Sequence, residues 1–105
     1  MAYAIKWSPR AAQHLEHICE YIAQDSREYA AIFANKILGI IKSLPAFPKS
    51  GRIVPEYNDP SIREKLHGNY RIVYRLSNGV IEVAAICHGS RLLSHAMAED
   101  VANEE

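Results

Sequence analysis

The stretch IREKLHGNYRIVYRL, residues 62–76, decides the fold. Apolar and polar residues alternate on both sides of His67-Gly68-Asn69, the pattern of two strands joined by a tight turn. A three-residue turn sets Leu66 opposite Tyr70 and Lys65 opposite Arg71. Ile62, Leu66, Tyr70, Ile72, Tyr74 and Leu76 then share the core face. Arg63, Lys65, Arg71 and Arg75 share the other face with Val73. Like charges facing each other across a strand pair cost up to about 1 kcal/mol. The basic stripe reads as a solvated surface on which long cations splay apart, as an anion-binding surface, or as a surface covered by a partner protein.

Working outward, Asn78-Gly79 is a strong type I′ hairpin signal and sets Ser77 opposite Val80. Ile81, Val83, Ala85 and Cys87 then join the core face. Glu82, Ala84, Ile86 and His88 join the basic face, with Arg75 opposite Glu82 and His88 diagonal to Arg71. Upstream, PAFPKSGRIVPEYNDP (residues 45–60) reads as loop with a short strand near Arg52–Val54. Before it lie two amphipathic helices. Ser8 caps the first and Pro9 takes its first position, and Ala11, Leu15, Ile18 and Ile22 recur at helical spacing. Asp25 and Glu28 have the spacing of a capping box for the second. Ala30, Phe33, Ala34, Ile37, Ile41 and Leu44 line it until Pro45. Residues 3–7 alternate and suit a first strand, with Trp7 an anchor at the strand–helix junction. The expected fold is α+β: an N-terminal strand and an antiparallel helical hairpin packed on an antiparallel sheet. One domain over residues 1–105 is expected, with the tail after about residue 93 a short helix or a frayed end.

Twelve basic residues balance twelve acidic ones in a chain of 105, so no global field draws nucleic acid or membrane. No run approaches the roughly 20 apolar residues of a membrane span. The N-terminus lacks the pattern of a signal peptide, so a cytoplasmic protein is expected. Cys19 and Cys87, far apart and without a CxxC pattern, read as buried reduced thiols. His14-x-x-His17, with Glu16 and Glu20, resembles a helical metal pair, but no second pair faces it and it reads as a solvated helix face. No cofactor or metal is expected.

Four segments carry a family resemblance: WSPRA (7–11), FPKSGRIVPE (47–56), IREKLHGNYRIVYRL (62–76) and CHGSR (87–91). Together they resemble the RelE/ParE superfamily, the toxin halves of type II toxin–antitoxin modules, whose members often carry the name plasmid stabilisation protein. The resemblance spans Ala4 to about Leu93 and implies the same fold. RelE-like members cleave mRNA in the ribosomal A site; ParE-like members poison DNA gyrase. This chain looks closer to ParE in its DSREYA helix junction (25–30), its two full helices and its HGSR ending. The lysine-rich strands of RelE are missing, and no aromatic stands beside His88 where ribonuclease relatives often have one. The resemblance also implies growth inhibition, a cognate antitoxin that wraps the helical hairpin and sheet edge, and a toxin–antitoxin hetero-oligomer.

Matched by position to the ribonuclease members, the catalytic residues are Glu56, Arg71 and His88. RNA cleavage of this kind needs a base for the 2′-hydroxyl, a cation for the pentavalent phosphate and an acid for the leaving 5′-oxygen. Glu56, Arg71 and His88 offer these in turn. Glu56 is also readable as a structural partner of an arginine such as Arg52, and His88 as a structural hydrogen-bonding residue or a solvated turn residue. A binding toxin needs no such trio; its expected target- or antitoxin-binding residues are Arg63, Lys65, Arg71, Arg75 and Arg91.

Overall fold

Ser8 turns the chain from strand to helix with two hydrogen bonds at one hydroxyl. In the computed structural model, which describes residues 3–91 and 93–97, Ser8 Oγ accepts from the Ala11 N–H and donates to the Ala84 carbonyl, both at 3.1 Å. It thereby closes β1 (Ala4–Trp7), caps α1 (Pro9–Ala23) and ties both to the sheet. Helix α2 (Arg27–Ser43) follows after a short break. Its cap is Ser26, whose side chain accepts from the Tyr29 N–H at 3.0 Å. The expected Asp25–Glu28 capping box is therefore displaced by one residue, because the hydroxyl at position 26 reaches the third helical N–H.

Four strands complete the sheet: β2 (Arg52–Ile53), β3 (Ile62–His67), β4 (Tyr70–Ser77) and β5 (Val80–His88). Their order is β1-β5-β4-β3-β2, antiparallel throughout except that β1 runs parallel to β5. The Asn78-Gly79 turn has both residues at positive φ, 49° and 76°, as type I′ requires. Helix α3 (Leu93–Met97) ends the described chain; the acidic end of the tail lies outside the described residues.

Two local irregularities rearrange the expected faces. The β3–β4 turn contains only Gly68 and Asn69, so His67 pairs with Tyr70 and Leu66 with Arg71. Gly68, at φ 56°, fills the first central position, where a II′ turn prefers glycine. One residue less in the turn moves every β3 side chain to the other face. Lys65 faces Ile72 and Arg63 faces Tyr74, so the expected Lys65–Arg71 clash and the basic stripe do not exist. The second irregularity is a bulge in β5: Tyr74 pairs with Val83 but Val73 with Ala85, leaving Ala84 extra. Beyond it Ile86 turns to the helix side, and Ala85 and Cys87 to the opposite side.

The sheet therefore has a core on each face. Under the hairpin, Ala11, Phe33, Ile37 and Ile41 pack on Ile72, Val83 and Ile86, with Trp7 and Tyr70 at the margin. Burying each of these isoleucines contributes roughly 1.5–3 kcal/mol. On the far face, Leu93 and Ala96 of α3 cover Val73, Ala84, Ala85 and Cys87. That face was expected to be bare. The cysteines are unbridged; Cys87 is buried, and Cys19 is only half-buried. Burial raises both thiol pKa values.

His14 is also not on a solvated face. It is buried, and its Nδ1 accepts the Ile86 N–H at 3.1 Å. Once β1 has turned away at Ser8, no strand among the described residues pairs with β5 on that side. The imidazole supplies the acceptor that the strand no longer does.

Candidate functional site

Beyond the edge of α3's cover, the far face of the sheet carries an alternating chain of charges. Arg52 Nε donates to Glu64 Oε2 at 2.5 Å, and Arg71 Nε donates to Glu64 Oε1 at 2.5 Å. Arg71 then points its remaining fork at Glu56: Nη1 to Oε2 at 2.7 Å and Nη2 to Oε1 at 2.8 Å. Two parallel bonds of this kind are the strongest geometry a guanidinium makes with a carboxylate. The four groups cancel in formal charge. The inner pair is buried, Arg71 at 9% and Glu64 at 0% side-chain exposure, while Glu56 at 45% and Arg52 at 59% reach water.

Arg71's hydrogen bonds are the main cause that lowers the Glu56 pKa from 4.5 to about 2. Glu56 in turn is the main cause that raises the Arg71 pKa, with Glu64 adding to it. Both groups are held fully charged at neutral pH.

Arg52, Glu56 and Arg71 open onto a groove of about 550 Å³ that also takes in the Gly68-Asn69 turn; Leu66, Tyr70 and His88 are among its other walls. The groove thus brings Glu56, Arg71 and His88 together. His88 reaches it from the end of β5, on Tyr70's side of the sheet and not on Arg71's. Its ring lies edge-on to Tyr70 with centroids 5.4 Å apart, so an aromatic does stand beside His88 in space. The Ser90 N–H points at His88 Nδ1 at 3.2 Å, and Ser90 Oγ lies 2.7 Å from the same nitrogen. Nδ1 is therefore an acceptor, and the ring proton belongs on Nε2.

The other expected binding cations do not form one surface. Arg63 donates from Nε to the Pro60 carbonyl at 2.9 Å and from Nη1 to the Gly51 carbonyl at 3.0 Å, clasping the loop on either side of β2. Lys65 stands on the hairpin side of β3. Arg75 is at the far end of β4, paired with Glu82 at 2.9 Å as expected. Arg91 is exposed next to a second, smaller cavity that it lines with His14, His17 and His88.

Glu64 was not anticipated. The three-residue turn had placed it in the core face of β3, where a carboxylate has no reading. Its partner for Arg71 follows at once from a two-residue turn. The motif residue Gly51 is also explained: a Cβ there would lie 2.5 Å from the Glu64 carbonyl oxygen and 2.7 Å from Tyr74 Oη. Tyr74 Oη accepts the Gly51 N–H at 3.0 Å and donates to the Pro48 carbonyl at 2.8 Å. The loop carrying Arg52 and Glu56 is thereby pinned against the sheet.

A helical hairpin on one face of a small sheet, with a charged groove on the other, defines an α+β fold of the RelE/ParE type. The family model described as the ParE toxin of the type II toxin–antitoxin system parDE matches residues 5–93. The chain belongs to this family and is the toxin component of a type II toxin–antitoxin system. Among curated proteins, no sequence match is found. Among solved structures it is similar to the chromosomal ParDE toxin–antitoxin system of P. aeruginosa, at 21% identity and TM-score 0.68, covering 83% of this chain and 96% of that one. It is also similar to the RelBE2 toxin–antitoxin complex of Mycobacterium tuberculosis, at 14% identity and TM-score 0.61, covering 84% and 99%. A third similar structure is a double arginine-to-alanine mutant of E. coli toxin RelE in the free state, at 18% identity and TM-score 0.64, covering 98% of each chain. At these identities the likeness is one of fold.

Proposed function

We propose that this toxin acts by binding, poisoning DNA gyrase as ParE-like proteins do, and that a cognate antitoxin neutralises it by docking along the hairpin and the groove. The observation that carries this reading is the bidentate Glu56–Arg71 pair. A ribonuclease of the RelE type would use Glu56 as base and Arg71 as phosphate clamp. Here each occupies the other. A carboxylate with a pKa of about 2 is a feeble base near neutral pH, where catalytic bases are tuned towards 7. Arg71 already uses three of its five N–H donors inside the protein, Nε on Glu64 and one from each Nη on Glu56. For a binding protein these same contacts are no obstacle, because they fix a shaped and charged surface.

The deciding experiment is expression of the protein without an antitoxin, followed by primer extension on several abundant mRNAs and by a DNA-cleavage assay with purified gyrase. Growth arrest with intact mRNA and gyrase-dependent DNA breaks is expected. New translation-dependent 5′ ends would overturn the proposal in favour of a ribosome-dependent endoribonuclease using Glu56, Arg71 and His88.

A further inference from the structure

We infer that Glu56 is an internal ligand of Arg71, and that the groove receives an acidic side chain of a peptide partner by exchanging that partner's carboxylate for Glu56. The inference rests on the proposed role of the groove as a docking surface. Three observations lead to it.

The first is that the two carboxylates on Arg71 are not equivalent. Glu64 sits on β3 and is fully buried; it orients the guanidinium through Nε and cannot leave without exposing a buried charge. Glu56 sits on the loop after β2, two residues before Asn58 with its left-handed φ of 50°, and is almost half exposed. Its carboxylate can turn into water while Arg71 stays fixed by Glu64.

The second is that Glu56 occupies the Nη fork of Arg71, a residue that lines the groove. Both Nη atoms that bind Glu56 belong to the fork a planar anion would grip. Removing Glu56 leaves Arg52, Glu64 and Arg71, with a net charge of +1, at the wall of an open space of about 550 Å³. The structure therefore contains a complete two-donor oxyanion site with its occupant supplied by the protein itself.

The third concerns which anion is suited. The occupant is already a carboxylate, at 2.7 and 2.8 Å. Beside the polar side chains of Asn69, His88 and Ser90, the groove carries apolar surface at Pro55, Tyr70 and Leu66, the last 55% exposed. The protein has no net charge, so it lacks the field that draws a polyphosphate backbone. An acidic residue flanked by apolar ones in a peptide fits these surroundings better than a nucleic-acid strand.

An internal ligand lowers apparent affinity by the fraction of time it leaves the site open. Substituting it with an isosteric neutral group removes that competition. Glu56→Gln keeps the size of the side chain and lies at the half-exposed end of the network, so the fold is retained. The test is a titration of purified protein with two short probes, a tetraglutamate peptide and a thymidine tetranucleotide, read by NMR shifts of the groove residues. Glu56→Gln is expected to bind tetraglutamate roughly tenfold tighter than the unsubstituted chain, and Glu56→Gln combined with Arg71→Lys is expected to lose that gain. Unchanged tetraglutamate affinity in Glu56→Gln would overturn the inference. Tightening for the tetranucleotide, alone or equal to that for the peptide, would overturn its assignment to a peptide. Neither gyrase nor ribosome is present in this titration, so its failure is separable from failure of the gyrase reading.

Discussion

Arg71 Nε donates a hydrogen bond to Glu64 Oε1 at 2.5 Å, and neither side chain has more than a tenth of its surface in water. This pair replaces the repulsion that a three-residue turn would have created between Lys65 and Arg71. A buried ion pair is held by its geometry and not by surplus energy: desolvation of both ions offsets much of their attraction, yet removing one partner strands the other. The charged wall of the groove is built on it, with Arg52 bound to Glu64 and Glu56 to Arg71.

Glu64→Ala should therefore be among the most damaging substitutions in the chain. It leaves the Arg71 guanidinium buried with only Glu56, and a loss of about 3–5 kcal/mol is expected, a large part of the total stability of a small domain. Glu64→Leu with Arg71→Met should recover most of it, because Arg52 and Glu56 reach water and solvate themselves. Urea midpoints of the single and double variants measure this; a double variant as unstable as Glu64→Ala would show that the cost lies in shape and not in stranded charge.

Glu56 makes a smaller and pH-dependent contribution. Its folded pKa of about 2 lies below the ordinary 4.5, so over that interval the unfolded chain binds the extra proton. Its stabilisation is present above pH about 4.5 and is lost as pH falls towards about 2. For a carboxylate that is nearly half exposed, solvent screening limits the effect to about 1 kcal/mol. Thermal melts from pH 7 to 3 should show Glu56→Gln less stable at neutral pH and the gap closing on acidification. A gap that widens in acid would reverse the sign of the linkage.

Gly51→Ala tests the pinned loop. The new Cβ meets the Glu64 backbone carbonyl and the Tyr74 hydroxyl, 2.5 and 2.7 Å away, and the backbone atom cannot step aside without moving β3. Overpacking of this kind costs about 1–3 kcal/mol. Calorimetry should register the loss. A variant as stable as the original would mean that the loop is not held against Tyr74.

Much of this architecture was legible because local signals were strong. Ser8-Pro9 marked the first helix to the residue, Asn78-Gly79 fixed one hairpin, and the periodic isoleucines of the second helix named the core. Glu56, Arg71 and His88, matched by family resemblance, do line one groove. What failed was parity. A turn shortened by one residue at Gly68-Asn69 reversed β3, and the extra Ala84 in β5 reversed the strand's second half. Alternation is unchanged by either event; only the assignment of which half faces inward changes, so the pattern carries no warning. Glu64 between apolar strands was the available clue, since a carboxylate in a core strand needs an arginine beside it. His14 gave no comparable signal, because its partner is the backbone N–H of Ile86, distant in sequence.

The proposed mode of action makes a demand on His88. If the toxin works by binding, the imidazole is one wall of the groove, set by Tyr70 and by the Ser90 hydrogen bonds. Substitution by glutamine keeps a polar side chain of similar reach at an exposed position and should leave growth arrest within about threefold of the original, as general-acid chemistry is not involved. If the toxin is a ribonuclease, the same change removes a general acid whose contribution is about 10²–10⁴-fold, and arrest should collapse. Colony counts at graded induction, with protein levels matched by immunoblot, separate the two. The same cultures carry a second reading in Arg71→Lys, which keeps the charge beside Glu64 but loses the two-donor fork. Loss of antitoxin rescue with toxicity intact would place the fork on the antitoxin's side of the groove, whereas loss of toxicity with antitoxin binding intact would place it on the target's.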